Sequence, residues 1–293
     1  MDHKSFLSTL PPEMRADLAE RSTRAGLVHL AGHLGLIAAS SAAILLLPFG
    51  WLLMPVQGVL LVFLFTLEHE CTHRTPFASD RLSDWTGRVC GLVLVLPFEW
   101  FRYFHLAHHR WTNLPGQDPE LDGAAPVTRR QWLWHVSGLP YWIAELRLMA
   151  RLVTGRERAR YLPAGALPRM QCEARGMLVI YALAGLSLLV SPAVLLVWAG
   201  PVLLGQPVLR LYLLAEHGDA PQVANMLENS RTTFTNRIVR FLAWNMPYHA
   251  EHHSLPQVPF HRLPDLHGAM RAHLATTAEG YAAFTRAYLA RRR

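Results

Sequence analysis

Two apolar runs, about residues 26–48 and 51–67, are separated only by Phe49 and Gly50. Each approaches the roughly 20 residues that a membrane-crossing helix needs. Backbone buried in hydrocarbon must satisfy its own polar groups, so such runs read as helices, here joined as a hairpin. A second pair, about residues 176–190 and 193–215, is broken at Ser191-Pro192, where proline lacks a helical donor. The expected fold class is therefore an all-α integral membrane protein with four transmembrane helices in two hairpins and a cytoplasmic helical cap. Composition agrees: 51% of the 293 residues are hydrophobic and only 17% are charged. With no repeat or linker in view, residues 1–293 read as a single membrane-embedded domain.

Charge sets the expected orientation. The turns at residues 48–50 and 191–192 carry no charge, whereas residues 102 to 175 hold eleven arginines and more follow residue 215. The positive-inside rule places both termini and the middle segment in the cytoplasm, and the expected setting is a bacterial inner membrane. Residues 89–98 are apolar but too short to span, and read as re-entrant or interfacial. Residues 132–149, with Trp132, Trp134, Tyr141 and Trp142, read as interfacial. The net charge of +7 is scattered among apolar blocks, which argues against nucleic-acid binding. Cys71, Cys90 and Cys172 are too far apart for a CxxC site. The N-terminus has no apolar core before residue 26 and is not expected to be a cleaved signal.

Sixteen histidines are present, and eight fall into three clusters. His69 and His73, in HECTH at the end of the second run, share one helical face at i, i+4. His105, His108 and His109, in HLAHH, and His249, His252 and His253, in HAEHH, repeat an i, i+3, i+4 spacing that projects each triad to one side of a helix. On the expected topology all three clusters lie on one membrane face. Eight imidazoles exceed what one tetrahedral zinc requires and suit two first-row metals of higher coordination number, iron being a common choice with nitrogen ligands. His217, just past the fourth run, is a ninth candidate. His29 and His33 are expected to be structural, and His3, His135, His261, His267 and His273 ordinary polar residues.

In order and spacing these boxes resemble the HxxxH, HxxHH, HxxHH signature of the membrane-bound fatty acid desaturase family. The likeness extends over about residues 26 to 267 and includes Thr112-Asn113 through Asp118-Pro119 and Asn245 through His253. The resemblance implies a non-haem di-iron centre, dioxygen as co-substrate, and attack on an unactivated C–H bond of a fatty acyl or related lipid chain to introduce a double bond. It also implies ligation by a histidine after the fourth span, here His217. Leu213 stands where the acyl-CoA branch has an asparagine one turn earlier, a departure that bears on a water-bridged ligand there. Hydroxylases and ketolases of lipids or carotenoids in the same superfamily have similar boxes.

Ligating imidazoles usually give their second N–H to an oxygen, and Glu70, Asp118, Glu216, Asn245 and Glu251 are near enough in sequence to hold the ligands in place. His69-Glu70-Cys71-Thr72-His73 also satisfies HExxH, so a membrane zinc metalloprotease is the rival reading, although it leaves two triads unused. A histidine-rich metal transporter would place its ligands within the spans instead of beyond them. No iron–sulfur, dinucleotide or haem motif is present, so electrons must come from a separate ferredoxin or reductase. Arg129, Arg130, Arg156, Arg158 and Arg160 suit either such a carrier or anionic lipid headgroups. Cys71 lies off the ligand face, so Cys71→Ser is expected to keep its bound metal and its activity; metal analysis of that variant, with loss of metal, would reverse the assignment.

Overall fold

The computed structural model describes residues 1–123 and 125–293. Two short helices, α1 (His3–Thr9) and α2 (Pro12–Leu18), lead into α3 (Thr23–Leu46), whose first turn is capped by the Ser22 hydroxyl on the Ala25 amide. The chain then reverses through Phe49, in the left-handed conformation with φ 59°. Gly50 completes the turn: a Cβ there would stand 2.3 Å from the Ala43 carbonyl oxygen. The second apolar run follows as a nearly continuous helical stretch, Gly50–His73, containing α4 (Met54–Val62) and α5 (Leu64–His73).

Next come α6 (Asp80–Leu94) and α7 (Phe98–Trp111), bent by 102° at the break between them. Residues 89–98, expected as re-entrant, form this bend. Its helix-end carbonyls need partners. Donors from three other segments supply them: Tyr181 Oη to the Leu92 carbonyl at 2.8 Å, Trp198 Nε1 to Val93 at 2.8 Å and Tyr141 Oη to Leu94 at 3.4 Å. The stretch expected at the interface becomes two helices, α8 (Arg129–Val136) and α9 (Leu139–Val153), parted by Gly138 at φ 76°.

The second apolar pair departs from expectation at its first member. Residues 176–190 lie mostly in the C-terminal half of α10 (Leu167–Ser187), whose N-terminal turns carry Arg169, Glu173 and Arg175. Among the described residues, three helical stretches are long and apolar enough to cross a membrane: Pro12–Leu46, Gly50–His73 and Leu195–His217. The bent α6–α7 pair brings the count to four if it is one broken span. Only 11% of the apolar window in Pro12–Leu46 is buried, so α3 presents a peripheral, apolar surface suited to lipid.

α11 (Gly200–His217) packs against α4 through glycines: a Cβ on Gly58 would lie 2.3 Å from the Pro201 oxygen, and one on Gly205 2.3 Å from the Gly58 oxygen. Small residues of this kind let apolar helices approach backbone to backbone. The chain ends in a cap of short helices, α12 (Met226–Asn229), α13 (Arg237–Leu242), α14 (His249–Ser254), α15 (Leu263–Met270) and α16 (Tyr281–Ala290). A two-residue parallel pairing of Thr232–Thr233 with Thr277–Ala278 ties the last two parts together. Phe6, Leu10 and Leu18 from the N-terminal helices bury themselves in the same core as Val258, Leu263 and Leu266. Overpacking the glycine contact should be costly: Gly205→Leu is expected to destabilise the protein by about 1–3 kcal/mol, read as a lowered Tm in detergent, whereas Gly185→Leu, with open space at its Cβ, should leave Tm unchanged.

Candidate metal centre

α5 delivers His69 and His73 from one face and stops at Arg74, a left-handed residue with φ 59°. Arg74 pairs with Asp84 of α6 at 3.0 Å, and Asp84 also pairs with Arg102 of α7. These contacts fix the ends of α5, α6 and α7 relative to one another. α7 carries His105, His108 and His109; α11 ends on His217; and α14 carries His249, His252 and His253 after a bend at Trp244 and Asn245, both with positive φ. All nine sequence-predicted histidines meet in one cluster.

The cluster has two parts. His69, His73, His105, His109 and His252 bring one nitrogen each within 4.8 Å of the others, and so do His108, His217 and His253. His249 joins the second group, with its Nε2 2.9 Å from that of His217. Stacked rings of His109 and His253, 4.0 Å apart between centroids, join the two groups. Each HxxHH triad was expected to aim at one point. Instead it is divided: His105 and His109 face the first group while His108 faces the second, and on α14 His249 and His253 face the second while His252 faces the first. Helical geometry explains the division. Positions i and i+4 differ by about 40° around the axis, whereas i+3 lies about 60° to the other side of i.

Hydrogen bonds determine which nitrogen carries the proton. His217 Nδ1 lies 3.0 Å from the Asn229 carbonyl oxygen, which can only accept. His108 Nδ1 lies 3.0 Å from both oxygens of Asp118. Burial raises the Asp118 carboxyl, but its bonds from His108 and from the Asn113 and Glu120 amides outweigh that and hold it below the usual carboxylate range. His108 and His217 thus donate through Nδ1, leaving two Nε2 lone pairs facing each other at 3.2 Å. The third face-to-face pair, His73 Nε2 with His105 Nε2, is 2.9 Å apart. Such contacts repel unless a cation lies among them. Burial, then crowding by neighbouring imidazoles, depresses His249, His252 and His253 well below the ordinary histidine value, which keeps them in the neutral form that a metal requires. The donor set fits two transition-metal ions of the kind that take imidazole nitrogen.

Three of the five expected supporting residues touch the cluster. Asp118 binds His108, Glu216 faces His249 Nδ1 at 3.5 Å and Glu70 faces His252 Nδ1 at 3.7 Å. Glu70 also accepts from the Thr75 hydroxyl and the Phe260 amide, both on Oε2, while its other oxygen faces His252. What argues against the HExxH protease reading is the number of further histidines drawn to the same place, more than one zinc requires. Asn245 and Glu251 are different: Asn245 donates to the Phe260 carbonyl, and Glu251 accepts from Thr232 and from His267. Neither contacts a clustered histidine; both brace the segment that carries α14. His267, read as an ordinary polar residue, is part of that brace. His29 and His33 stand outside the cluster, bonded to the Phe241 and Leu60 carbonyls.

Sequence reasoning missed Thr112, Asn229 and Glu120. Thr112 Oγ1 donates to the His108 carbonyl and lies 3.1 Å from His253 Nδ1. Asn229 is twelve positions beyond His217, and its contribution is a backbone oxygen, which no side-chain pattern reveals. Glu120 lies 3.6 Å from His108 Nδ1, and its side chain keeps 43% of its exposure beside a histidine that keeps 2%, so it stands between the sealed cluster and solvent.

Together these features define a helical chain with long apolar stretches that carries a two-part histidine centre competent to bind metal. The sequence model of the fatty acid desaturase family matches residues 42–285, and the chain belongs to that family. Among its relatives, an sn-1 oleoyl-lipid 12-desaturase of Anabaena variabilis is 30% identical over 47% of this chain and 43% of its own length. A chloroplastic omega-6 fatty acid desaturase of Brassica napus is 26% identical over 48% of this chain and 33% of its own. A sphingolipid delta(4)-desaturase of Gallus gallus is 28% identical over 67% and 58%. The matched stretches thus span from a third to somewhat over half of these relatives. Replacing Asp118 by Asn removes the charge that orients His108, and metal affinity is expected to fall about 10–100-fold; competition with a chelator followed by metal analysis measures it.

Proposed function

We propose that this protein is a dioxygen-dependent lipid desaturase, an oxidoreductase that holds two iron ions and introduces a double bond into a fatty acyl or related chain. The observation that carries the reading is the convergence of nine imidazoles in two groups, with Nε2 atoms facing one another, in a member of the desaturase family. His69, His73, His105, His109 and His252 would hold one iron, and His108, His217, His249 and His253 the other. Bound iron supplies the activation of dioxygen needed to remove hydrogen from an unactivated carbon.

The chain's own residues orient and shield. Asp118, the Asn229 carbonyl and Thr112 fix the protonated edge of His108, His217 and His253. Phe101 stacks on His105 at 5.5 Å and Phe65 stands 6.4 Å from His69, an apolar wall that excludes water on the side of α5 and α7. In this reading residues 1–293 form one domain with four spans, and both termini and the cluster are cytoplasmic. A separate ferredoxin or reductase supplies the electrons. One relative is named as a ferredoxin-linked sn-1 acyl-lipid omega-3 desaturase.

Purified protein should contain two irons per chain. With ferredoxin, its reductase and dioxygen it should convert at least one member of a panel of acyl lipids to a product two hydrogens lighter by mass spectrometry. A product heavier by one oxygen would reassign it as a hydroxylase, and one zinc with no iron would overturn the reading.

A further inference from the structure

An arginine inside an apolar helix is costly unless something engages it, and intramembrane ionisable groups mark functional sites. Arg210 of α11 is such a residue. Its guanidinium lies over the Tyr141 ring at 4.4 Å, its Nε is buried without a partner, and among the described residues it makes no hydrogen bond or ion pair. The nearby carboxylates are committed or neutral. Glu216 faces His249 and Glu120 faces His108. Burial pushes Glu145 up to about 8, so it is mostly protonated at neutral pH, and its Oε2 also lacks a partner.

One helical turn before Arg210, Gln206 is fully buried with neither amide atom bonded. Its surroundings hold it in place, since a Cβ on Gly138 would stand 2.8 Å from Gln206 Cβ. The buried Gln206 amide and the buried Arg210 Nε are left unbonded four residues apart on one helix, and a buried polar group without a partner costs about 1–3 kcal/mol unless a ligand or water satisfies it. The position of the pair relates it to the histidines. Gln206, Arg210 and His217 lie within about 40° of one another around the helix, and Arg210 is two turns, roughly 10 Å, from His217 along the axis. The same face of α11 therefore carries a metal ligand at its end and unpaired anion-binding donors below it. Tyr141 of α9 closes over the Arg210 guanidinium.

We propose that Arg210, assisted by Gln206, binds an anionic group of the substrate, a carboxylate or a phosphate, and so anchors the chain two helical turns below the His217 end of α11. This rests on the reading of the histidine cluster as the oxidising centre. It makes the substrate an anionic amphiphile gripped close to the reaction, in place of a chain recognised by apolar packing alone.

Calorimetric titration of the iron-loaded protein in a neutral sterol-type detergent tests this with dodecanoate, dodecyl phosphate, dodecanol and dodecylammonium. The intact protein should bind at least one anionic probe 10-fold or more tighter than dodecanol, and the stronger of the two identifies carboxylate or phosphate. Arg210→Gln should lose that 10-fold preference while keeping dodecanol affinity and two irons per chain; Arg210→Lys should recover part of it. If Arg210→Gln does not fold, Gln206→Leu should still weaken the anionic probe several-fold without changing dodecanol binding. Equal binding of dodecanol and the anions by the intact protein overturns the proposal. So does an unchanged anion preference in the folded variants, or tightest binding of dodecylammonium through Glu145. Failure to retain iron would sink the metal reading instead, and the probe affinities remain measurable without it.

Discussion

Repulsion between imidazole lone pairs is the constraint that the histidine cluster imposes on this fold. His108 and His217 donate their Nδ1 hydrogens to Asp118 and to the Asn229 carbonyl, so their Nε2 atoms face each other at 3.2 Å. Such a contact needs a cation to be stable, and without one it must be held by the rest of the protein. Four helices from separate parts of the chain supply that restraint. α5 and α7 are clamped through Asp84 by Arg74 and Arg102, and α14 is clamped by Glu251 with Thr232 and His267.

The apolar half of the molecule and the histidine cluster are mechanically one object. α5 starts among the buried Leu64 and Leu67 and α11 beside the exposed Leu203 and Leu204, and they end on His73 and His217, so packing lower down sets where these histidines arrive. The glycine contact between Gly58 and Gly205 sets the distance between those two stretches. The bend between α6 and α7 is tolerated because Tyr141, Tyr181 and Trp198 donate to the carbonyls it exposes. One of those donors, Tyr141, also covers Arg210, which links the support of the bend to the only guanidinium close beneath the cluster on α11.

Division of the triads explains how three short motifs serve two groups. A helix carrying i, i+3 and i+4 histidines cannot direct all three side chains to one point, but it can stand between two points. α7 and α14 both do this, with reversed allegiance: the i, i+4 pair of α7 and the single i+3 residue of α14 face the same group. Five nitrogens gather on one side and four on the other, joined by the stacked His109 and His253 rings.

The sequence by itself determined the helical class, the apolar stretches, the turn at Phe49-Gly50 and which histidines meet in the cluster, His217 included. Each is written in local chemistry: an uninterrupted apolar run, a glycine where a Cβ has no room, histidines at helical spacing. Asp118, Glu216 and Glu70 were legible because they lie close in sequence to clustered histidines. Tertiary structure decided the rest. Whether α10 is apolar over its whole length depends on where the helix begins, and it begins at Leu167, early enough to include Arg169, Glu173 and Arg175. The assignment of Glu251 to a structural brace, the support from Thr112 and the Asn229 backbone, and the isolation of Arg210 all follow from which elements face each other. Spacing along one helix gives directions, but which partners stand in those directions is settled only when separate helices pack.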